Sequence, residues 1–390
     1  MKIAIIAYSC RQGGGLIQTI HLLKALASVA QDDEFLLICP EGCGFEKIDL
    51  PAGSRLHVYS DPHTLWPRLK FEYITLPRIV RQYQPDIIFG PGNSGVFRPS
   101  APQVLYIRQA YLFYDKKHFP NMPLRSYLRL LLLKHQMNAY VKRSSWIFCQ
   151  TSVVKERFSE KYNFPKDRVT VSGFPVPKEI SISNDFEIPA VFDKTGDNFY
   201  VLLLTRHMPH RNPGVLIPLC KRYAAQLRER NIRFIITLDH QEGGPSKEFL
   251  QDVAKGGFED LITNVGRLGR QDIVPHLKSS QMLWHPTLLE CMSTAYIEAM
   301  TLEVPIFTSN MDFARYVCDD AAVYYDPWDI DDIFKQLMVM RNKPELRQQL
   351  IDAGKEQLKK REKFPGNWDE VAMKLLDRFR NIVKGNIKHH

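Results

Sequence analysis

At 390 residues, with 44 % hydrophobic and 24 % charged side chains, the chain is too long for one hydrophobic core and too apolar to be disordered, which leaves two globular domains. Its formal charge of +9 is unevenly spread: residues 1–180 hold 24 Lys and Arg against 14 Asp and Glu, whereas residues 181–390 hold 28 against 29. No apolar run reaches the roughly 18–20 residues of a membrane span. The seven cysteines form no Cys-x-x-Cys pair, which argues against a disulfide framework or structural zinc and for a reducing, cytoplasmic setting.

The opening KIAIIA (2–7) reads as a strand rather than a signal peptide, because no cleavage-site pattern follows it. Gly13, Gly14 and Gly15 then form a loop, and a helix is expected over about 16–29. This loop reads either as a tight turn or as a place where backbone approaches a ligand. FLLIC (35–39), DIIFG (86–90), QVLYI (103–107), WIFCQ (146–150) and RVTVSG (168–173) read as further strands with helical patterns between them. No acid occurs between Asp115 and Glu156, a window with Lys116, Lys117, Arg125, Arg129, Lys134, Lys142, Arg143 and Lys155. It reads either as a solvated helix face or as a surface that meets an anionic partner such as a membrane.

Residues 174–198, with three prolines and no clean periodicity, break the alternation, and 181–198 is taken as a linker between domains 1–180 and 199–390. Strands then follow at FYVLLLTR (199–206), RFIITLD (233–239), LITNVG (261–266), MLWHP (282–286), VPIFTS (304–309) and AVYYD (322–326). Helices are expected near 212–230, 246–255 and 270–280, and three more close the chain, the last near 368–383 and free to pack back on the N-terminal domain. The expected fold class is α/β, with two Rossmann-like doubly wound domains facing a central cleft and ligands at the C-terminal ends of the strands.

Two segments carry candidate chemistry. In HPTLLECMSTAYIEAM (285–300), Ser293 and Thr294 read as the N-cap of a helix, with Glu290 on the loop before it and Glu298 more than a turn inside. Unpaired amides at the helix start suit a phosphate, and two carboxylates suit hydroxyls, so the pair fits a nucleotide-sugar. In LLLTRHMPHRNPG (202–214), Arg206 leaves a strand end and Arg211 stands at a helix entry, a pairing suited to a diphosphate. His207 and His210 have the spacing of two metal ligands, but Pro209 breaks the helix they would need and no third ligand is evident. P-loop, Gly-x-Ser-x-Gly and His-Glu-x-x-His motifs are absent, and the glycine spacing is not that of a dinucleotide site.

On these segments the chain resembles the GT-B fold glycosyltransferases, specifically the retaining group called glycosyltransferase family four, or glycosyl transferases group 1. HPTLLECMSTAYIEAM is similar to the family's Pro-Ser-x-x-Glu … Leu-Glu-Ala-Met block, LLLTRHMPHRNP to its Gly-Arg … Lys-Asn segment, and NVGRL (264–268) to a glycine loop near the nucleobase. The resemblance implies that Glu298 binds the ribose of the donor and Glu290 the donor sugar. Arg206 and Arg211 would clamp the diphosphate, with donor contacts from Gly266, Leu268, Met292, Ser293, Thr294, Gly14 and Gly15. It implies transfer of a hexose with retention, from a UDP-sugar with UDP-glucose favoured, without a metal or other cofactor. The acceptor would be a polysaccharide or lipid-linked saccharide, with no nucleic-acid partner. Arg108, Gln109 and His118 are the acceptor-side candidates. Arg211 replaces the family's usual Lys, Thr205 its Gly, and Cys291 and Ser293 its glycines. Two other activities fit the same residues less well: a nucleotide-sugar epimerase or hydrolase, and a non-enzymatic basic module at a membrane surface. The basic window would place the protein at the inner face of the membrane as a peripheral partner.

Overall fold

The computed structural model describes residues 1–11, 13–60, 65–119, 122–175, 186–193, 196–206, 208–239 and 244–385. His207 and parts of the segment read as a linker (181–185, 194–195) lie outside these residues. The chain divides into two compact units. Unit 1 comprises Met1–Tyr114, Pro123–Pro175 and Glu362–His390; unit 2 comprises Asp115–Met122 and Val176–Arg361.

Unit 1 is built on seven strands: β1 (Lys2–Ile6), β2 (Glu34–Pro40), β3 (Arg55–Tyr59), β4 (Ile87–Gly90), β5 (Gln103–Ile107), β6 (Trp146–Cys149) and β7 (Val169–Val171). They form one parallel sheet in the order β3-β2-β1-β4-β5-β6-β7. The inner strands are near-continuous apolar runs because helices cover both faces. Edge strand β3, which carries no such run, is an addition to the expected set; its Leu56 and Val58 stay exposed. Helix α1 (Gly13–Val29) begins at Gly13, not near residue 16, so the three glycines form its first turn rather than a free loop. Gly13 takes φ +69°, a conformation that a side chain would strain.

The remaining helices of unit 1 are α2 (Leu65–Lys70), α3 (Leu76–Tyr83), α4 (Leu124–Val141), α5 (Ser152–Tyr162) and α13 (Trp368–Val383). A single π turn, Phe71–Thr75, joins α2 to α3. Helix α13 lies on α1, and its Val371, Leu375, Phe379 and Ile382 are in one core with Leu22, Leu26, Phe35 and Phe89.

Unit 2 has six parallel strands: β8 (Phe199–Leu203), β9 (Ile232–Ile236), β10 (Ile262–Asn264), β11 (Met282–His285), β12 (Ile306–Ser309) and β13 (Ala322–Tyr325), ordered β10-β9-β8-β11-β12-β13. Helices α6 (Leu216–Glu229), α7 (Gly244–Gly256), α8 (Arg270–Ser279), α9 (Thr294–Thr301), α10 (Asp312–Cys318), α11 (Ile330–Asn342) and α12 (Pro344–Leu358) connect and cover them. Buried Trp284, Phe307 and Tyr325 pack together at the centre, where Trp284 Nε1 donates to Tyr325 Oη at 2.6 Å. Each unit is thus a doubly wound α/β layer. In each, the strand order reverses direction once, between β1 and β4 in unit 1 and between β8 and β11 in unit 2. Connections leave such a pair to opposite faces and open a crevice at the carboxyl ends of the strands.

Candidate functional site

At the switch point of unit 2, β8 ends at Leu203 and its loop is pinned to β9. Thr237 Oγ1 accepts from the Thr205 amide at 2.9 Å and donates to the Thr205 carbonyl at 3.0 Å. The loop carries exposed Arg206, then tightens as the Arg211 amide donates to the Met208 carbonyl at 2.9 Å. Buried His210 fixes its far end: its carbonyl accepts from the Leu288 amide at 2.7 Å and from Thr287 Oγ1 at 3.2 Å. These bonds join the loop after β8 to the loop after β11.

That junction sets the central contact of the site. Arg211 Nη2 stands 3.0 Å from Glu290 Oε1, with the side chains 28 % and 15 % exposed. The pairing is electrostatic rather than a directed hydrogen bond, since Oε1 is buried with no hydrogen-bond partner among the described residues. Burial pushes the Glu290 carboxyl above its ordinary range and Arg211 opposes that rise.

Two imidazoles lie behind this pair. Burial, with Arg211 adding to it, drives His210 down to about 3. Burial likewise holds His285, at the end of β11, well below the usual histidine range, with Arg211 and His210 reinforcing it. Both rings are therefore neutral at physiological pH. His285 Nε2 takes the Ser293 hydroxyl at 3.1 Å. Ser293 is the N-cap residue of α9 by backbone position, but its hydroxyl is turned to His285 and caps nothing. The start of α9 therefore has no side-chain cap, and its first amides keep their donor character toward an anion.

Glu298 sits one turn inside α9, half-buried. Burial raises its pKa while Arg270, at the first position of α8, counteracts. The loop before α8 turns at Gly266 (φ +75°), whose amide donates to Asn264 Oδ1 at 3.2 Å; the same oxygen accepts from the Leu238 amide at 3.0 Å. Leu268 follows, half-buried. Met292 and Ser293 are buried and Thr294 half-buried. His285 and Arg270 had no role in the sequence reading, and His210 entered it only as a metal ligand set aside with His207. The two histidines are framework, and the cue for Arg270, a cation at a helix entry after Gly269, resembles many surface arginines.

Unit 1 has its own crevice at its switch point, a cavity of about 550 Å³. Tyr8, Ser9 and Cys10 reach it from the end of β1, Gly92 and Ser94 from the loop after β4, and Arg108 and Gln109 from the end of β5. The β1 and β4 loops touch so closely that a Cβ on Gly92 would lie 2.2 Å from Cys10 Sγ. Arg108 is braced: its Nε donates to the Pro91 carbonyl at 2.9 Å and its Nη2 to Thr19 Oγ1 at 2.7 Å. Gly15 lines the same cavity, and Gly14 precedes it in the first turn of α1. His118 does not line this cavity. It lies in the 115–122 segment of unit 2, buried, with Nδ1 3.2 Å from the Asp115 carbonyl and its ring 6.4 Å from Trp328.

Residues 184–357 match the family model described as Glycosyl transferases group 1. A curated relative, the O-antigen chain mannosyltransferase B of Escherichia coli, is 23 % identical over 179 residues, covering 45 % of this chain and 46 % of that protein. The match thus spans about half the length of that relative. Among solved structures, WaaG, a glycosyltransferase involved in lipopolysaccharide biosynthesis, superposes with a TM-score of 0.71 at 14 % identity, over 99 % of this chain and all of that one. HepE of Anabaena, in complex with UDP and glucose, gives 0.70 at 15 % identity over 97 % and 99 % of the two chains. A glycosyltransferase of Rickettsia africae gives 0.69 at 14 % identity over 98 % of each.

Proposed function

With residues 184–357 belonging to the glycosyl transferases group 1 family, on a fold that matches GT-B structures, we propose that the chain transfers a hexose from a nucleotide-sugar to a saccharide acceptor. The observation that carries this reading is the Arg211–Glu290 contact beside the uncapped start of α9, with Glu298 one turn further in.

The parts take complementary roles. Glu298 accepts the ribose hydroxyls of the donor. The α9 amides, Arg206 and Arg211 receive the diphosphate and neutralise the charge that grows on it as it leaves. The exposed part of the Glu290 carboxylate accepts a hydrogen bond from a hydroxyl of the sugar, so that burial energy spent on the carboxylate is recovered in the transition state. The acceptor oxygen forms its bond to the anomeric carbon as the carbon–phosphate oxygen bond breaks. The nucleoside diphosphate leaves with that electron pair, and the acceptor proton passes to a donor phosphate oxygen on the same face, which retains the configuration. In this reading two guanidinium groups supply positive charge that a divalent metal would otherwise bring. A UDP-sugar is the favoured donor, in keeping with the UDP and glucose bound to HepE. Because the E. coli relative is named for mannose, GDP-mannose belongs in the screen.

Calorimetry of the full chain with UDP-, GDP- and ADP-hexoses tests the donor reading. One base is expected to bind saturably, and Glu298→Ala to weaken it about tenfold or more, the worth of one charge-assisted bond. A Glu298→Ala protein that binds the nucleotide as tightly as the parent removes this assignment.

The acceptor side of the proposal is peripheral to a membrane. Helix α4 contains no acid and exposes Leu124 (72 %), Leu128 (54 %) and Leu132 (68 %) beside Arg125 and Arg129. The π turn adds exposed Tyr73 and Ile74, and it is tied to α4 because Phe97 stacks on Tyr73 at 4.0 Å and packs at a tilt against Tyr140 at 4.6 Å. Leucines beside arginines suit an anionic bilayer surface; among the described residues no helix is long and apolar enough to cross one. The double change Leu128→Ser/Leu132→Ser is expected to lower co-sedimentation with phosphatidylglycerol vesicles at least about fivefold, roughly 1 kcal/mol of lost apolar burial, and to leave nucleotide binding intact. Undiminished vesicle binding would count against α4.

A further inference from the structure

We infer that His285 is a positioning residue for the donor: by holding the Ser293 hydroxyl it keeps that hydroxyl from capping α9, and so leaves the first amides of the helix to the diphosphate. This rests on the donor reading above and deepens it, because it gives the site an internal competitor that one buried side chain restrains.

The backbone of Ser293 is already set for capping. At φ −91° and ψ 125° it has the extended conformation of an N-cap residue, from which a serine hydroxyl ordinarily accepts from the amide two or three positions on. Three other helices of this chain that start behind an extended Thr, Asp or Asn are capped in this way. Thr151 accepts from the Val154 amide at α5, Asp329 from the Asp331 and Asp332 amides at α11, and Asn367 from the Glu370 amide at α13. Ser293 departs from them: it takes no amide of α9, and its Oγ lies 3.1 Å from His285 Nε2. Whichever of the two atoms donates, the bond turns Oγ toward the end of β11 and away from the helix. The amides of Thr294, Ala295 and Tyr296 find no acceptor among the described residues.

Stability alone favours the cap. Ala295 and Tyr296 are buried, and a buried amide without an acceptor is unfavourable. Rotation of one serine side chain would satisfy one of these amides at no cost to the backbone. The ring that prevents the rotation is itself fixed, in part by the helix it keeps open. The Tyr296 ring stands edge-on to it, with centroids 4.9 Å apart and planes at 87°. Thr308 Oγ1 donates to the His285 carbonyl at 2.8 Å and lies 2.7 Å from Tyr296 Oη. A rigid imidazole that withholds a competent cap leaves a set of convergent donors, which is what a phosphate group needs at a helix start.

Calorimetry of the full chain with UDP, GDP and ADP identifies the nucleoside diphosphate that the parent binds most tightly, and the variants are compared on that ligand. His285→Leu frees the hydroxyl to cap α9, and the ligand must then displace it. Affinity should fall about fivefold, the worth of one N-cap bond. His285→Leu/Ser293→Ala removes the competitor together with its restraint, and should bind at least about threefold more tightly than His285→Leu alone. A histidine that only fills space predicts the reverse, since the second truncation would then add to the first or change nothing. Should His285→Leu fail to fold, His285→Asn, which stays polar but is too short to reach Oγ, takes its place with and without Ser293→Ala.

Parental affinity in the single His285 variant, or a double variant that binds no more tightly than the single one, overturns the inference and leaves the donor reading standing. A parent that binds none of the three nucleotides removes the donor reading, and this inference falls with it.

Discussion

Glu290→Gln is expected to lower the turnover of the tightest-binding nucleotide-sugar by about 10²–10³-fold, equivalent to about 2.7–4 kcal/mol of transition-state stabilisation. The amide preserves the shape of the side chain and its place beside Arg211, but it removes the charge that makes the carboxylate a strong acceptor. Nucleotide affinity should stay within about threefold of the parent, because the proposal gives the ribose to Glu298 and not to Glu290. Release of the nucleoside diphosphate, followed with and without saccharide acceptor, reads the first quantity and calorimetry the second. A variant that turns over at the parental rate would leave Glu290 as framework. One that loses nucleotide binding and turnover together would move its role from sugar to nucleotide.

Arg211→Met is the second large effect, and it has a pH signature. Burial already raises the Glu290 pKa, and the guanidinium is the opposing influence. Without it the folded-state pKa climbs further above the unfolded value of about 4.3. The native state then holds its proton more tightly than the unfolded chain, so the cost is absent below the unfolded pKa and grows as pH rises through the raised folded one. Glu290 is 15 % exposed and Arg211 28 %, so solvent screens part of the contact. The loss at pH 7 relative to pH 4 should be about 1–3 kcal/mol, below the 3–5 of a fully buried pair. Urea unfolding of parent and variant across pH 4–8 measures it. Two curves parallel in pH would show that Arg211 does not govern Glu290. On the proposed reading turnover should also fall, because the leaving diphosphate would lose one of its two cations.

Much of this architecture was legible because parallel strands covered on both faces are written as unbroken apolar runs. β1, β4, β5, β8 and β12 fall within the expected segments, and the α9 helix starts at the expected Ser293–Thr294 junction. What escaped was decided by partners distant in sequence. β3 is a strand because it pairs with β2 from Leu36 to Pro40, not because its own residues insist on it. Short α10 carries its apolar residues in one turn or so, too few for periodicity to speak. The Ser293 hydroxyl follows the residue preference for an N-cap, yet a buried imidazole eight positions back competes for it and wins. The glycines at 13–15 looked like a loop by composition, but helix packing absorbs them into α1. In the site, residue type identified Arg211 and Glu290, but only the loop junction at His210 explains why they meet. The crevice of unit 1 is gathered from the ends of β1, β4 and β5, which no local pattern could join.

The return of α13 to α1 bears on how the protein is made. Lys374 Nζ donates to the Val171 carbonyl across 203 positions of sequence, and the apolar face of α13 completes the core that begins with β1. During synthesis the first half of the chain therefore emerges with the α1 side of its sheet only partly covered, and stays so until the ribosome has read some two hundred further codons. Unit 2 matures while its neighbour is still unfinished. A premature stop between Leu358, the end of α12, and Trp368, the start of α13, would release a product with an intact second sheet and an aggregation-prone first one, so such a truncated chain should be cleared by proteolysis rather than persist as a stable fragment.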